Sequence, residues 1–283
     1  MVIDEPLAAA LVAACFPQWA HLPVRAVVPG GHDNRTFRLG DALAVRLPSA
    51  ERYVPAVERE QRWLPVLAAA LPVPIPAPVA LGRPAAGFPW PWSVNRWIEG
   101  ETAIVAAIPD RSAFALDVAR FLVALREVDT TDAPPAGAHN FHRGGDLAVY
   151  RSEAEAVIAG LPDRAVAVWA TAVLDRALAS RWAHDPVWVR GDVAVGNLLV
   201  RDGRLAAVID FGGCAIGDPA SDLVIAWNSL DRQAADAFRA AVQVDDDTWD
   251  RAAGWALWKA LITLDDPGSR AALVRLREDF PAP

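Results

Sequence analysis

Asp192, Asn197 and Asp210 fall within one stretch, Trp188–Asp222, that reads WVRGDVAVGNLLVRDGRLAAVIDFGGCAIGDPASD. An amide and a carboxylate are oxygen donors of the kind Mg²⁺ takes, a hard cation that keeps some waters and shares substrate phosphates. A separate aspartate can orient a hydroxyl and accept its proton. These are the needs of phosphoryl transfer: position the nucleophile, clamp the phosphates, neutralise charge. Any one of the three alone reads more simply as a capping or turn residue. Their combined spacing carries the chemistry.

A hairpin must position them. Asp202-Gly203 predicts a two-residue turn between the apolar runs Leu198–Val200 and Leu205–Ile209. In that register Asn197 faces Val208 and Val195 faces Asp210. Side chains alternate with period two, so Asn197 and Asp210 share a face, about 7 Å apart as diagonal neighbours. Asp192 lies in the loop that enters the hairpin.

Around this insert the chain divides in two. The first part, residues 1–98, reads as strands Arg25–Pro29, Asn34–Leu39 and Ala42–Leu47, with Gly40-Asp41 as a hairpin turn. Val54–Leu71 reads as a helix with Pro55 in its first turn and Pro65 kinking or ending it. Prolines at alternate positions from Pro72 to Pro78 force an extended connector. Trp92–Ile98 reads as a strand, and Glu99-Gly100 marks the exit. In the second part, residues 99–283, Phe114, Val118, Phe121, Leu122, Leu125 and Val128 follow the helical period. So do Val166, Trp169, Val173 and Leu178, and the chain from Asp222 onward. The expected architecture is α+β: a small lobe with an antiparallel sheet and a larger, mainly helical lobe.

Composition bounds the partners. The 283 residues are 53% hydrophobic and 22% charged, which suits a packed globule. No apolar run reaches the roughly 18–20 residues of a membrane span. The net charge of −8 disfavours nucleic acid, which rewards basic patches. It favours cationic partners at long range or serves solubility alone. Cys15 and Cys214 read as reduced thiols, without a disulfide framework. Asp4 and Glu5, with no Lys or Arg before Cys15, argue against a secretion signal and for an N-terminal amphipathic helix. A cytoplasmic monomer is the expectation.

Asp192-x4-Asn197 followed by Asp210-Phe211-Gly212, then Gly217-Asp218-Pro219-Ala220-Ser221-Asp222-Leu223, resembles the aminoglycoside phosphotransferase family, which has the protein-kinase-like fold. The resemblance covers most of the chain and implies ATP and Mg²⁺ as cofactors. It implies Asp192 as catalytic base, with Asn197 and Asp210 as metal ligands. Asp218 and Asp222 would be structural, Asp218 capping a helix over Asp222–Leu230. Gly30 and Gly31 correspond to the loop over the ATP phosphates, with His32 a surface residue. Backbone groups of Arg96 and Ile98 correspond to the adenine-binding hinge. Two positions depart from the pattern. Arg190 stands where the family commonly has an orienting His. Arg46 stands where a strand lysine holds the α- and β-phosphates, with Glu60 as its helix partner. Arginine can bind phosphate in a bidentate way but is not interchangeable with lysine, so Arg46 is either a working substitute or a mark of weak turnover.

The implied function is transfer of the γ-phosphoryl group of ATP to a hydroxyl of a small, cationic acceptor such as an aminoglycoside. The alternatives are a metabolic kinase of choline, thioribose, homoserine or macrolide type, and a catalytically weak nucleotide-binding protein. Trp227, Trp255 and Trp258 are candidate walls of an acceptor pocket, though core is the default reading. Asp231, Asp265 and Asp266 are candidate anchors for a polyamine, or solvated surface charges.

Overall fold

The computed structural model describes residues 1–28 and 30–281. The chain groups into two compact units: Met1–Gly100 with Ala207–Gly212, and Glu101–Ala206 with the chain from Gly213 onward. The expected division after residue 98 did not anticipate that Ala207–Gly212, which carry Asp210, group with the first unit.

In the first unit, α1 (Glu5–Cys15) starts at Asp4, whose carboxylate accepts from Leu7 N at 3.0 Å. Phe16-Pro17 ends it. Five strands follow around one further helix: β1 (Val24–Ala26), β2 (Asn34–Leu39), β3 (Leu43–Pro48), α2 (Val54–Ala68), β4 (Pro78–Gly82) and β5 (Trp92–Arg96). The sheet order is β1-β2-β3-β5-β4 and every pairing is antiparallel. Pro29, the expected end of the first strand, lies outside the described residues. Period-two alternation sorts the sheet into two faces. Leu43, Val45 and Leu47 of β3 join Phe37, Trp92, Val94 and the buried side of α1 in one apolar core. Each fully buried side chain of this size contributes about 1.5–3 kcal/mol. Arg46 alternates to the other face, opposite Thr36 on β2 and Ser93 on β5. Pro55 sits in the first turn of α2 as expected, and the helix runs through Pro65 for only three more residues.

The second unit is mainly helical. Its elements are β6 (Glu101–Thr102), α3 (Arg111–Arg126), α4 (Arg151–Ala159), α5 (Arg164–Leu178), β7 (Val187–Val189), β8 (Leu198–Arg201), β9 (Arg204–Val208, whose last two residues belong to the first unit), β10 (Ala215–Gly217), α6 (Ile225–Asn228), α7 (Arg232–Ala241), α8 (Asp246–Ile262) and α9 (Pro267–Asp279). β6, β8 and β9 form one small sheet, and β7 pairs with β10 in another. The β8–β9 turn is the expected one: Asp202 and Gly203 have φ of 53° and 73°, the left-handed pair that a tight hairpin needs. α8 is apolar on nearly every side, with Trp249, Ala252, Ala253, Trp255, Ala256, Leu257, Ala260 and Leu261 all buried, as a central helix must be. Gly254 permits this packing, since a Cβ there would lie 2.4 Å from Ala177 Cβ of α5. No helix among the described residues is long and apolar enough to cross a membrane. Neither cysteine forms a disulfide.

Candidate active site

The loop after β7 is built around Asp192. Asp222, almost fully buried, accepts hydrogen bonds from the backbone N–H groups of Arg190 at 2.7 Å and Gly191 at 2.6 Å. Burial pushes the Asp222 carboxyl up to about 6, although both N–H bonds and the charges of Arg190 and Arg126 act against that rise. Gly191 turns the chain at φ 84°, where a side chain would be strained and would crowd Gly213 O at 3.1 Å. Downstream, Ala194 N donates to Asp192 O at 2.8 Å and Asn197 N to Ala194 O at 2.8 Å. The Asn197 Nδ2 group also donates to Asp192 O, at 3.3 Å. Asn197 therefore belongs to a 3₁₀ turn, Val195–Asn197, and not to β8, so strand alternation does not set its direction.

Two cations face the Asp192 carboxylate. Lys259 Nζ of α8 is 3.2 Å from Oδ1, and Arg143 Nη1 is 3.9 Å from Oδ2. Burial works against the charge on Asp192, but Lys259, Arg143 and Arg190 outweigh it and hold the carboxyl below the usual aspartate range. Asp192 opens on a recess also lined by Arg143, Ser221, Trp255, Trp258 and Lys259. Trp258 stacks on Tyr150 with centroids 3.9 Å apart and meets Trp255 edge-on at 5.7 Å. Two of the three singled-out tryptophans thus wall the recess. Trp227 is buried core against Trp249.

In the first unit, Arg46 holds two carboxylates with one guanidinium. Nη1 donates to Glu60 Oε2 at 2.6 Å and Nη2 to Asp210 Oδ1 at 3.2 Å. Glu60 and Asp210 raise the Arg46 pKa against the effect of burial, so the group is charged throughout. Asp210 follows β9 at φ 65°, a left-handed conformation that aspartate tolerates better than most residues. Arg59 Nη2 donates to Gly212 O at 2.9 Å and ties α2 to the same segment.

The oxygens of Asp210 and Asn197 suit magnesium chemically, as hard donors. Asp210 keeps 40% of its side chain accessible. Among the described residues no group of three His, Cys, Asp or Glu side chains could hold a metal by itself.

The other expected residues are placed by the local hydrogen bonding. The Arg96 backbone N–H donates to Ala77 O at 2.8 Å, so this donor is committed to the sheet and not open to an adenine edge. Ile98 lies in the extended segment after β5. Gly30 and Gly31 lie between β1 and β2, where Arg35 donates to Gly31 O. His32 is exposed and bonds Tyr53 Oη at 3.0 Å. Asp218 caps the turn after it through Ala220 N and forms a buried ion pair with Arg251 at 2.7 Å. Asp222 clasps the Asp192 loop instead of opening a helix, because Pro219–Val224 is a 3₁₀ turn before α6. Asp231 and Asp266 are N-caps of α7 and α9. Arg143 and Lys259 were not anticipated. The available signal was that Lys259 is the only lysine among 27 lysines and arginines.

Residues 25–255 match the model of the phosphotransferase enzyme family. The sequence is 41% identical to an aminoglycoside 3'-phosphotransferase of Escherichia coli over 49 residues, which are 17% of this chain and 18% of that relative's length. The fold is similar to that of the GDP complex of wild-type aminoglycoside 2'-phosphotransferase-IIIa, with a TM-score of 0.76, 19% identity and 98% of each chain covered. It is also similar to macrolide 2'-phosphotransferase MphH from Brachybacterium faecium, with a TM-score of 0.64, 20% identity and 99% of each chain covered. At such identities the likeness is one of fold, and the fold is the α+β architecture expected from the sequence. Since the family match begins in β1 of the first unit and ends in α8, the helix that carries Lys259, the chain belongs to the phosphotransferase enzyme family.

Proposed function

We propose that the chain transfers the γ-phosphoryl group of ATP to a hydroxyl of a small molecule. The carrying observation is the Asp192 carboxylate, held ionised by Lys259 and Arg143 at the mouth of an aromatic recess. In this reading the acceptor hydroxyl donates to Asp192, its oxygen attacks the γ-phosphorus, and ADP leaves. Asp192 takes the proton late, because phosphoryl transfer has a loose transition state that demands little prior deprotonation. Arg46, fixed by Glu60, would hold the α- and β-phosphates. Asn197 and Asp210 would hold magnesium, which would supply positive charge against the phosphates. The division of labour, with residues 1–98 for the nucleotide and 99–283 for the acceptor, belongs to the same proposal.

For the acceptor, an aminoglycoside-like polyol is the first reading, supported by the net charge of −8 and the family likeness. A metabolic kinase is the second, favoured by the two cations beside Asp192. The test is ADP formation from MgATP against a panel of aminoglycosides, macrolides, amino alcohols and hydroxy acids, with the phosphorylated product identified by mass. Nucleotide binding with no ADP formed from any acceptor would leave a nucleotide-binding protein in place of a kinase.

A pH effect follows from the cations. Activity needs ionised Asp192 and is lost as pH falls through its depressed pKa, which puts the acidic limb of kcat/KM below the usual aspartate range. Lys259→Met removes the strongest of the lowering influences and leaves the burial penalty. The limb is expected to move to higher pH in the variant and to return in Lys259→Arg. An unmoved limb in pH–rate profiles would detach Lys259 from the base.

A further inference from the structure

The recess beside Asp192 has a charge opposite to that of the molecule. The chain carries −8 overall, yet the lining holds Arg143 and Lys259 against the single carboxylate of Asp192. One Asp192 charge balances one of the two cations, so the site as built is positive. Its other polar side-chain groups include Ser221 Oγ and Trp255 Nε1, both buried and without a hydrogen-bond partner among the described residues; Ser221 is only 6% exposed. A buried hydroxyl in a polar recess is costly until a ligand or water pairs with it. Lys259 carries three N–H donors, and its hydrogen bond to Asp192 occupies one of them. Glu153 accepts from Trp258 Nε1 behind the wall and does not line the recess.

We propose that Arg143, Lys259 and Ser221 form an anion subsite, and that the acceptor is a hydroxylated acid whose carboxylate binds there while its carbon skeleton lies against Trp255 and Trp258. The added carboxylate brings the recess to neutrality: two cations then face two anions. Ser221 donates to the ligand, and Trp258, buried and stacked on Tyr150, gives the recess a wall that is already rigid before a ligand arrives. A polycation would meet Lys259 and Arg143 at close range, where like charges repel most strongly. The whole-chain charge acts at longer range and is screened by salt within about 8–10 Å. The choice of lysine fits the task. At its other 26 basic positions the chain uses arginine. Here a compact ammonium that touches Asp192 with one N–H keeps its other donors for a ligand.

The assignment rests on the kinase reading only for taking a hydroxyl beside Asp192 as the reacting group, so binding and turnover are measured separately. Calorimetric titration of the full chain without nucleotide uses 3-phenyllactate, its methyl ester and 1-amino-3-phenylpropan-2-ol, with glycerate and methyl glycerate as a smaller pair. The acids are expected to bind at least about tenfold more tightly than their esters, as a charge-assisted contact implies. The preference should fall to near onefold in Lys259→Met, persist in Lys259→Arg and weaken in Ser221→Ala. Equal binding of acid and ester overturns the subsite. So does tighter binding of the amino alcohol, failure of every acid in the panel to bind, or a preference that survives Lys259→Met. Acid-selective binding with no ADP formed from any hydroxy compound leaves the subsite standing and removes the kinase reading. ADP formation with aminoglycosides and no preference for acids does the reverse.

Discussion

Asp192→Asn is expected to lower kcat by about 10²–10⁴-fold, the range a positioned general base contributes, with nucleotide Kd within about twofold of wild type. Asparagine nearly preserves the shape of the side chain. Its Oδ1 can still accept from Lys259, and the backbone contacts that shape the loop are untouched: Ala194 N and Asn197 Nδ2 bond to Asp192 O, and Asp222 holds Arg190 N and Gly191 N. The ability to take a proton and the negative charge toward Arg143 are lost. Both ion pairs are about a third exposed, so their loss costs little stability, in the range of about 0–1 kcal/mol. The variant therefore separates chemistry from folding. A kcat within tenfold of wild type, in a sample that melts normally, would mean that another group receives the hydroxyl proton.

What the sequence disclosed about this site was its local part. The Asp202-Gly203 turn could be read because a two-residue hairpin turn needs left-handed backbone, which glycine and aspartate supply. The core face of β3 could be read because Leu43, Val45 and Leu47 alternate with Ala44 and Arg46. Contacts made at long range by backbone groups could not. Asp222 binds two N–H groups more than 30 residues away, and those groups leave no residue-type signal at Arg190 or Gly191. The Arg96 N–H is occupied by Ala77 for the same kind of reason. Lys259 reaches Asp192 from 67 positions away because α8 is buried against α5, a fact of tertiary packing. Arg151–Ala159 was not anticipated as helix, since only Ala154 and Ile158 of α4 are buried and its apolar period is weak. The departure at Arg46 could be seen but not interpreted from sequence, because its meaning depends on how many carboxylates one side chain must reach.

That number is two, and it makes Arg46→Ala strongly destabilising. The expected cost is about 3–5 kcal/mol, the effect of removing one partner from a buried ion pair. Glu60 has only 5% of its side chain exposed, and its Oε1 is buried without a hydrogen-bond partner among the described residues, so the ion pair with Arg46 is what offsets its charge. Removing the guanidinium leaves that carboxylate to be protonated or hydrated inside α2's packed face. The Arg46→Met, Glu60→Gln double variant should recover much of the loss, with a coupling energy of about 1–3 kcal/mol in a urea-unfolding cycle. Arg46→Lys tests the second carboxylate. One ammonium can satisfy Glu60, but it lacks the fork that places separate N–H groups 2.6 Å from Glu60 and 3.2 Å from Asp210. Arg46→Lys should therefore keep most of the stability while changing metal-dependent nucleotide affinity, because Asp210 is released from its partner. Additive single and double variants would show that Glu60 is not held by Arg46. An Arg46→Lys protein with unchanged stability and unchanged Mg²⁺ dependence of nucleotide binding would show that the span across both carboxylates has no bearing on the nucleotide site.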